Sequence, residues 1–121
     1  MDFTNSRAFS VRKKNKGELT KVEQIVMKCI WDFEEPPFCR NVIERLKTKY
    51  GLDYSQTTVY TFLKNLTQKG YISVQKKYHI STFEPTISKE KYLNSYLNEI
   101  NDFWFDGSSS GFTKAVKKYC K

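Results

Sequence analysis

The apolar positions fall into blocks whose spacing changes along the chain. Val22, Ile25, Val26, Cys29, Ile30 and Phe33 recur at helical intervals, so they line one side of a helix. Thr20 followed three residues later by Glu23 has the form of a capping box, which satisfies free amides at a helix start. Glu34-Glu35-Pro36-Pro37 ends that helix, because proline lacks the amide proton and pushes its predecessor out of helical geometry. A second helix fits 39–50, with Val42, Ile43, Leu46 and Tyr50 inward and Gly51 just past its end. After the break Gly51-Leu52-Asp53-Tyr54, Ser55 is a natural N-cap for a third helix from Gln56 to Lys69, stopped by Gly70. Two helices joined by a short glycine-containing turn predict a helix-turn-helix.

Beyond Gly70 the period shortens. Tyr71, Ile72, Val74, Tyr78, Ile80 and Phe83 are β-branched or aromatic and surround a polar Gln75-Lys76-Lys77 tip, the pattern of a β-hairpin closed by Glu84-Pro85-Thr86. Ser88 can cap a fourth helix, from 89 to about 105, in which Leu93, Tyr96, Leu97, Ile100, Phe103 and Trp104 form a stripe close to a heptad seam. Asp106 to Gly111 reads as a loop, and Phe112, Ala115, Val116 and Tyr119 as a short last amphipathic helix. The predicted fold class is mostly α with a small β-hairpin wing: a flexible basic arm over 1–18, a winged helix-turn-helix domain over 19–86 and a helical dimerisation region over 87–121.

Composition narrows the function. The net charge is +8, and no acidic residue lies between Asp53 and Glu84, where Lys64, Lys69, Lys76 and Lys77 fall. That stretch can face a polyanion without repulsion. The three cysteines, Cys29, Cys39 and Cys120, are far apart and His79 is the single histidine, so neither a disulfide framework nor a metal site is expected. No catalytic residue and no cofactor are expected either. No run approaches the length of a membrane span, and the first ten residues lack a signal-like apolar core, so a cytoplasmic protein is expected.

The third helix carries the chemistry. On a helical wheel Val59, Phe62, Leu63 and Leu66 cluster, and the opposite side collects Thr57, Thr61, Lys64 and Gln68, flanked by Tyr60 and Asn65. Threonine and glutamine can hydrogen-bond base edges, the threonine methyl can touch thymine, and lysine can reach guanine or phosphate. The first turns of the second helix of a helix-turn-helix enter the major groove. Gln56, Thr57, Tyr60 and Thr61 are therefore the candidates for base reading and Ser55, Lys64 and Asn65 for setting register on the backbone, with Thr58 a further member of the DNA-binding set. Lys76 and Lys77 of the hairpin and Arg40 at the start of the second helix are candidate phosphate ligands.

The stretches Leu19-Thr20-x-x-Glu23-x-x-Val26-Met27-x-x-Ile30-Trp31 and Thr58-Val59-Tyr60-Thr61-x-Leu63-x-x-Leu66-x-x-Lys69-Gly70-Tyr71-Ile72 resemble the penicillinase repressors, the BlaI, MecI and CopY group of winged-helix regulators. The resemblance covers roughly 19–104. It implies a homodimer bound to a double-stranded, inverted-repeat operator, with dimer contacts from the C-terminal helices. On this chain that role falls on Leu93, Tyr96, Leu97, Ile100, Phe103 and Trp104, joined by Phe112, Val116 and Tyr119. In β-lactam-responsive members a membrane sensor protease is a further partner, triggering cleavage at an Asn-Phe bond; this chain has no Asn-Phe dipeptide. Copper-responsive members carry a cysteine-rich motif, whereas Cys120 is the only cysteine after Cys39 here. The alternative reading is a winged-helix module docking a protein or structured RNA; a nuclease using Asp32, Glu34 and Glu35 is not expected, because these carboxylates read as a loop without histidine or metal ligands beside them.

Overall fold

The computed structural model of the chain describes residues 18–120. The basic arm expected over 1–18 therefore lies, except for Glu18, outside the described residues. The described chain runs through helices α1 (Lys21–Asp32), α2 (Cys39–Tyr50) and α3 (Gln56–Gln68), strands β1 (Ile72–Lys77) and β2 (Ile80–Pro85), and helices α4 (Lys89–Phe105) and α5 (Ser109–Tyr119). It divides into two compact units, one reaching Lys89 and the other starting at Glu90.

In the first unit each helix begins and ends where local chemistry directs. The Thr20 side chain accepts the Glu23 amide at 3.2 Å, and Glu23 Oε1 accepts the Thr20 amide at 2.9 Å, so two orphan donors are satisfied reciprocally. The α2 start uses one half of that device: the Phe38 amide donates to Asn41 Oδ1 at 2.9 Å. Gly51 adopts φ 68 and its amide bonds the Lys47 carbonyl, a left-handed stop that a side chain would strain. Gly70, at φ 88, ends α3 in the same region of φ. There the Tyr71 amide bonds the Leu66 carbonyl and the Gly70 amide bonds that of Thr67, the paired bonds of a Schellman motif.

These helices and the hairpin close on one core. Val26, Met27 and Ile30 of α1, Val42 and Leu46 of α2, Val59, Leu63 and Leu66 of α3, and Tyr71, Ile72 and Phe83 of the hairpin are all buried. Met27 is fully buried although it lies off the stripe read from the sequence, because α1 is flanked by both other helices and by the hairpin. The segment after α1 also does more than end a helix. The Phe83 amide bonds the Pro37 carbonyl at 3.0 Å and Phe38 bridges Thr82, so the proline segment lies along the outer edge of β2. Proline suits an edge, where only its carbonyl is needed. Trp31 Nε1 donates to the Ile87 carbonyl at 2.9 Å and ties the end of the hairpin to α1.

The hairpin corrects one expectation. Gln75, Lys76 and Lys77 are strand residues, paired with Thr82, Ser81 and Ile80 in antiparallel register, and the tip is Tyr78-His79. Both tip residues have positive φ, 55 and 66, as a two-residue turn of the I′ kind requires. The pair lacks the Asn or Gly that normally marks such a turn, so the polar triplet beside it carried the stronger turn signal. Asp32 is also corrected: it is the last residue of α1, not a loop carboxylate. It binds Arg45 at 3.1 Å and Lys49 at 2.9 Å on α2.

In the second unit, α5 begins at Ser109 rather than near Phe112, because Ser108 caps it by accepting the Gly111 amide at 3.2 Å. The serines that looked like a loop thus supply a cap and a first turn. Phe105 meets Phe112 with ring centroids 5.7 Å apart, joining α4 to α5.

The cysteines stand in two environments. Burial pushes the Cys29 thiol up to about 11 and raises that of Cys39, whereas Cys120 is exposed. Thiolate, not thiol, is the reactive species. Titration with an aromatic disulfide reagent is expected to find one fast thiol per folded chain and all three only after unfolding; a second fast thiol would mean that α1 or α2 opens readily.

Candidate nucleic-acid interface

The candidate surface is built on α3. Its apolar side, Val59, Leu63 and Leu66, is driven into the core, and the helical period then turns Thr57, Thr61, Lys64 and Gln68 outward, where all four are exposed. The exposed side has no carboxylate, and the neighbouring β1 adds exposed Lys76 and Lys77.

The side chains named from the sequence separate into groups by their bonds. Ser55 Oγ accepts the Thr58 amide at 3.2 Å and donates to Thr58 Oγ1 at 3.0 Å, so both hydroxyls are engaged in starting the helix. Together they close the N-terminal end of α3. Gln56, Thr57 and Thr61 stand exposed within the first two turns. Thr61 Oγ1 donates its proton to the Thr57 carbonyl at 3.1 Å, which leaves its lone pairs and its methyl facing outward. A hydroxyl in that state can accept from adenine N6 or cytosine N4 but has no proton left for a base acceptor.

Tyr60 sits differently from its neighbours. Its ring packs edge-on against Phe83, with centroids 6.3 Å apart, so it leans toward the hairpin. Between α3 and the hairpin lies an open groove of about 320 Å³, with Tyr60, Lys64 and Gln68 on one side and Val74 and Ser81 on the other. Asn65 is half-buried and its carbonyl accepts the Lys69 amide.

Of the wing lysines, Lys76 donates to Ser81 Oγ across the hairpin at 3.3 Å. Lys77 pairs with Glu35 at 3.3 Å, with both side chains well exposed. An exposed pair of this kind is worth about 0–1 kcal/mol, so a phosphate can displace the carboxylate at little cost. Arg40 lies on α2, exposed, with its guanidinium 5.0 Å from the centre of the Phe38 ring.

One lysine of the acid-free stretch leaves the candidate surface altogether. Lys69 Nζ lies 2.6 Å from Glu23 Oε1 and 2.9 Å from the Glu18 carbonyl. Burial pushes the Glu23 carboxyl up, but its bonds with Lys69 and Thr20 outweigh that and hold it below its ordinary value. Sequence reading could not find this pair, because its members are 46 positions apart and each has a local explanation, one as a cap and the other as a basic residue. The Tyr78-His79 tip was missed as well; its one available signal was the two-residue gap between strands.

Residues proposed from the sequence for dimer contact lie in the second unit. Leu93, Tyr96, Leu97, Val116 and Tyr119 are exposed, as are Phe103 at 75% and Trp104 at 70%, while Ile100 and Phe112 are half-buried. Phe103 and Trp104 pack edge-to-face, with centroids 5.0 Å apart. Single exposed apolar residues are ordinary on a protein surface; here several share the face of one helix. Among the described residues, no helix is long and apolar enough to cross a membrane, and no group of three or more metal-binding side chains converges.

Comparison with known proteins agrees with this architecture. No curated protein matches the chain. Among solved structures, the chain is similar to the monomeric form of Bacillus licheniformis BlaI, determined in solution in complex with the blaP half-operator. The two are 28% identical with a TM-score of 0.51, over 63% of this chain and 89% of that one. The profile of the penicillinase-repressor family matches residues 19–119. With its mostly helical winged-helix fold, the chain belongs to the penicillinase-repressor family of DNA-binding transcriptional regulators.

Proposed function

We propose that this chain is a cytoplasmic, sequence-specific repressor that acts as a homodimer on a dyad operator. In this reading 19–86 bind double-stranded DNA and 87–121 pair the two subunits. The observation that carries it is the acid-free outer face of α3, where Thr57, Thr61, Lys64 and Gln68 stand exposed together beside the lysines of the hairpin. The similar BlaI structure is a complex with the blaP half-operator, which supports DNA as the partner of this chain.

Roles follow from reach and bonding. Gln56, Thr57, Tyr60 and Thr61 read base edges, Tyr60 from the side of α3 that packs on Phe83 of the hairpin. Lys64, Asn65, Arg40, Lys76 and Lys77 hold phosphates, while Ser55 and Thr58 hold the helix start at the correct angle. The stripe on α4, with Phe112, Val116 and Tyr119 of α5, forms the subunit contact and places two recognition helices on half-sites separated by one or two DNA turns of about 10 bp each. The reading assigns no catalytic residue and no cofactor. It also assigns no role to a membrane sensor protease, since the Asn-Phe bond is lacking.

Selection from a randomised duplex pool at moderate ionic strength tests the reading: enrichment of an inverted repeat is expected, and an unenriched pool would overturn it. The wing has its own test. Each phosphate neutralised contributes about −0.9 to the slope of log K against log salt. The double change Lys76→Ala, Lys77→Ala is therefore expected to flatten that slope by about 1.8 without altering the selected sequence. An unchanged slope would remove the wing from the interface.

A further inference from the structure

We propose that Lys69 is a positioning residue for base reading: by clamping the C-terminal end of α3 to the start of α1 through Glu23 and Glu18, it fixes how the outer face of α3 is presented to DNA. This rests on the DNA-binding reading above.

The geometry makes Lys69 a clamp rather than a ligand. It is the C-cap residue of α3 and is followed directly by the left-handed Gly70, so its side chain leaves the helix at its last turn. Its ammonium reaches back to α1, meeting the Glu23 carboxylate at 2.6 Å and the Glu18 carbonyl at 2.9 Å. The same carboxylate oxygen accepts the Thr20 amide, so one atom joins the capped start of α1 to the end of the recognition helix. The Glu23 side chain is 4% exposed and that of Lys69 22%, which leaves little room for a phosphate to displace the pair.

The rest of α3 needs such a constraint. Val59, Leu63 and Leu66 bind it to the core through apolar contact, which is strong but non-directional. Close packing keeps such a helix from large rotation, but a small turn about its axis breaks no directional bond. A turn of roughly 20° moves a side-chain atom about 6 Å from the axis by about 2 Å, enough to break a base-edge hydrogen bond. Ser55 fixes the first turn locally, but its bonds stay within α3. The Lys69 ion pair is directional and reaches another element, so it resists that rotation. Buried charged groups can serve conformational specificity even where they add little net stability.

A phosphate ligand and a positioning residue leave different traces in binding. Loss of a phosphate ligand weakens all DNA alike and lowers the salt slope, whereas loss of a positioning residue weakens selected DNA and leaves the slope intact. The experiment measures Kd by fluorescence anisotropy across a salt series, at a temperature where circular dichroism shows every variant folded. The DNA is a duplex selected by the parent protein and a scrambled duplex of equal length. Lys69→Met is expected to weaken the selected duplex at least tenfold, with binding to the scrambled duplex and the salt slope unchanged, and Lys69→Arg to restore selectivity. Lys69→Gln keeps a donor for the Glu18 carbonyl without the charge, and if Lys69→Met fails to fold it takes the test, with an expected loss of selectivity in the same direction.

A slope lowered by about 0.9 would make Lys69 a phosphate ligand and overturn the proposal. Unchanged selectivity with a lower melting temperature would reduce the pair to a structural brace and overturn it too. If the parent selects no duplex, the DNA-binding reading itself falls first.

Discussion

Replacing Leu97 and Ile100 of α4 together by aspartate is expected to halve the mass of the protein in solution, from a dimer to a single chain. The stripe to which they belong runs through Leu93, Leu97, Ile100 and Trp104 at the alternating four- and three-residue steps of a helix seam. Leu97 is exposed and Ile100 half-buried in the single chain, so in a dimer the substitution buries two carboxylates against apolar groups without partners. Operator affinity is expected to fall with it. Once one recognition helix is seated, linkage to a second raises its effective concentration, and such linkage contributes about 10²–10⁴-fold in avidity. Affinity for an isolated half-site is expected to remain, because α3 belongs to the other compact unit. Light scattering and a comparison of full-site with half-site binding check both parts. A parent protein that is already monomeric would defeat the seam reading.

The second large effect is expected from α3. Thr57→Ala with Thr61→Ala should reduce affinity for the selected duplex about 100-fold or more, since each good base contact is worth about 1–3 kcal/mol. Binding to unrelated DNA and the salt slope should stay as they were, because neither side chain carries charge. Thr61→Val divides the threonine's contribution further. It keeps the methyl that can touch thymine and removes the oxygen, whose proton already belongs to the Thr57 carbonyl. If Thr61 accepts from adenine or cytosine, the Thr61→Val variant binds no better than the Thr61→Ala variant; recovery of affinity with valine would instead identify a methyl contact. A double alanine variant that selects the same sequence as the parent would remove Thr57 and Thr61 from base reading.

Much of the architecture could be read locally. Thr20 and Glu23, Ser55, and the glycines at 51 and 70 announce helix ends through bonds made within a few residues, and the structure places those ends within a residue or two of the reading. The outer face of α3 was legible for a related reason. A helix has a fixed period, so naming its apolar side names the other side as well. The hairpin was legible as a hairpin but not in its tip, since Tyr78 and His79 take left-handed backbone conformations that their side chains do not advertise.

What the sequence alone determined is therefore the set of elements, the side each helix turns to the core and the chemistry left outside, because all three depend on interactions close along the chain. Only the tertiary structure decided which basic residues are available to a partner. Lys64, Lys69, Lys76 and Lys77 look equivalent in the sequence, yet folding brings Glu23 to Lys69 and Glu35 to Lys77, partly burying the first pair and leaving the second loose at the surface. Charge pairing depends on distance in space and on desolvation, and neither is set by separation along the chain.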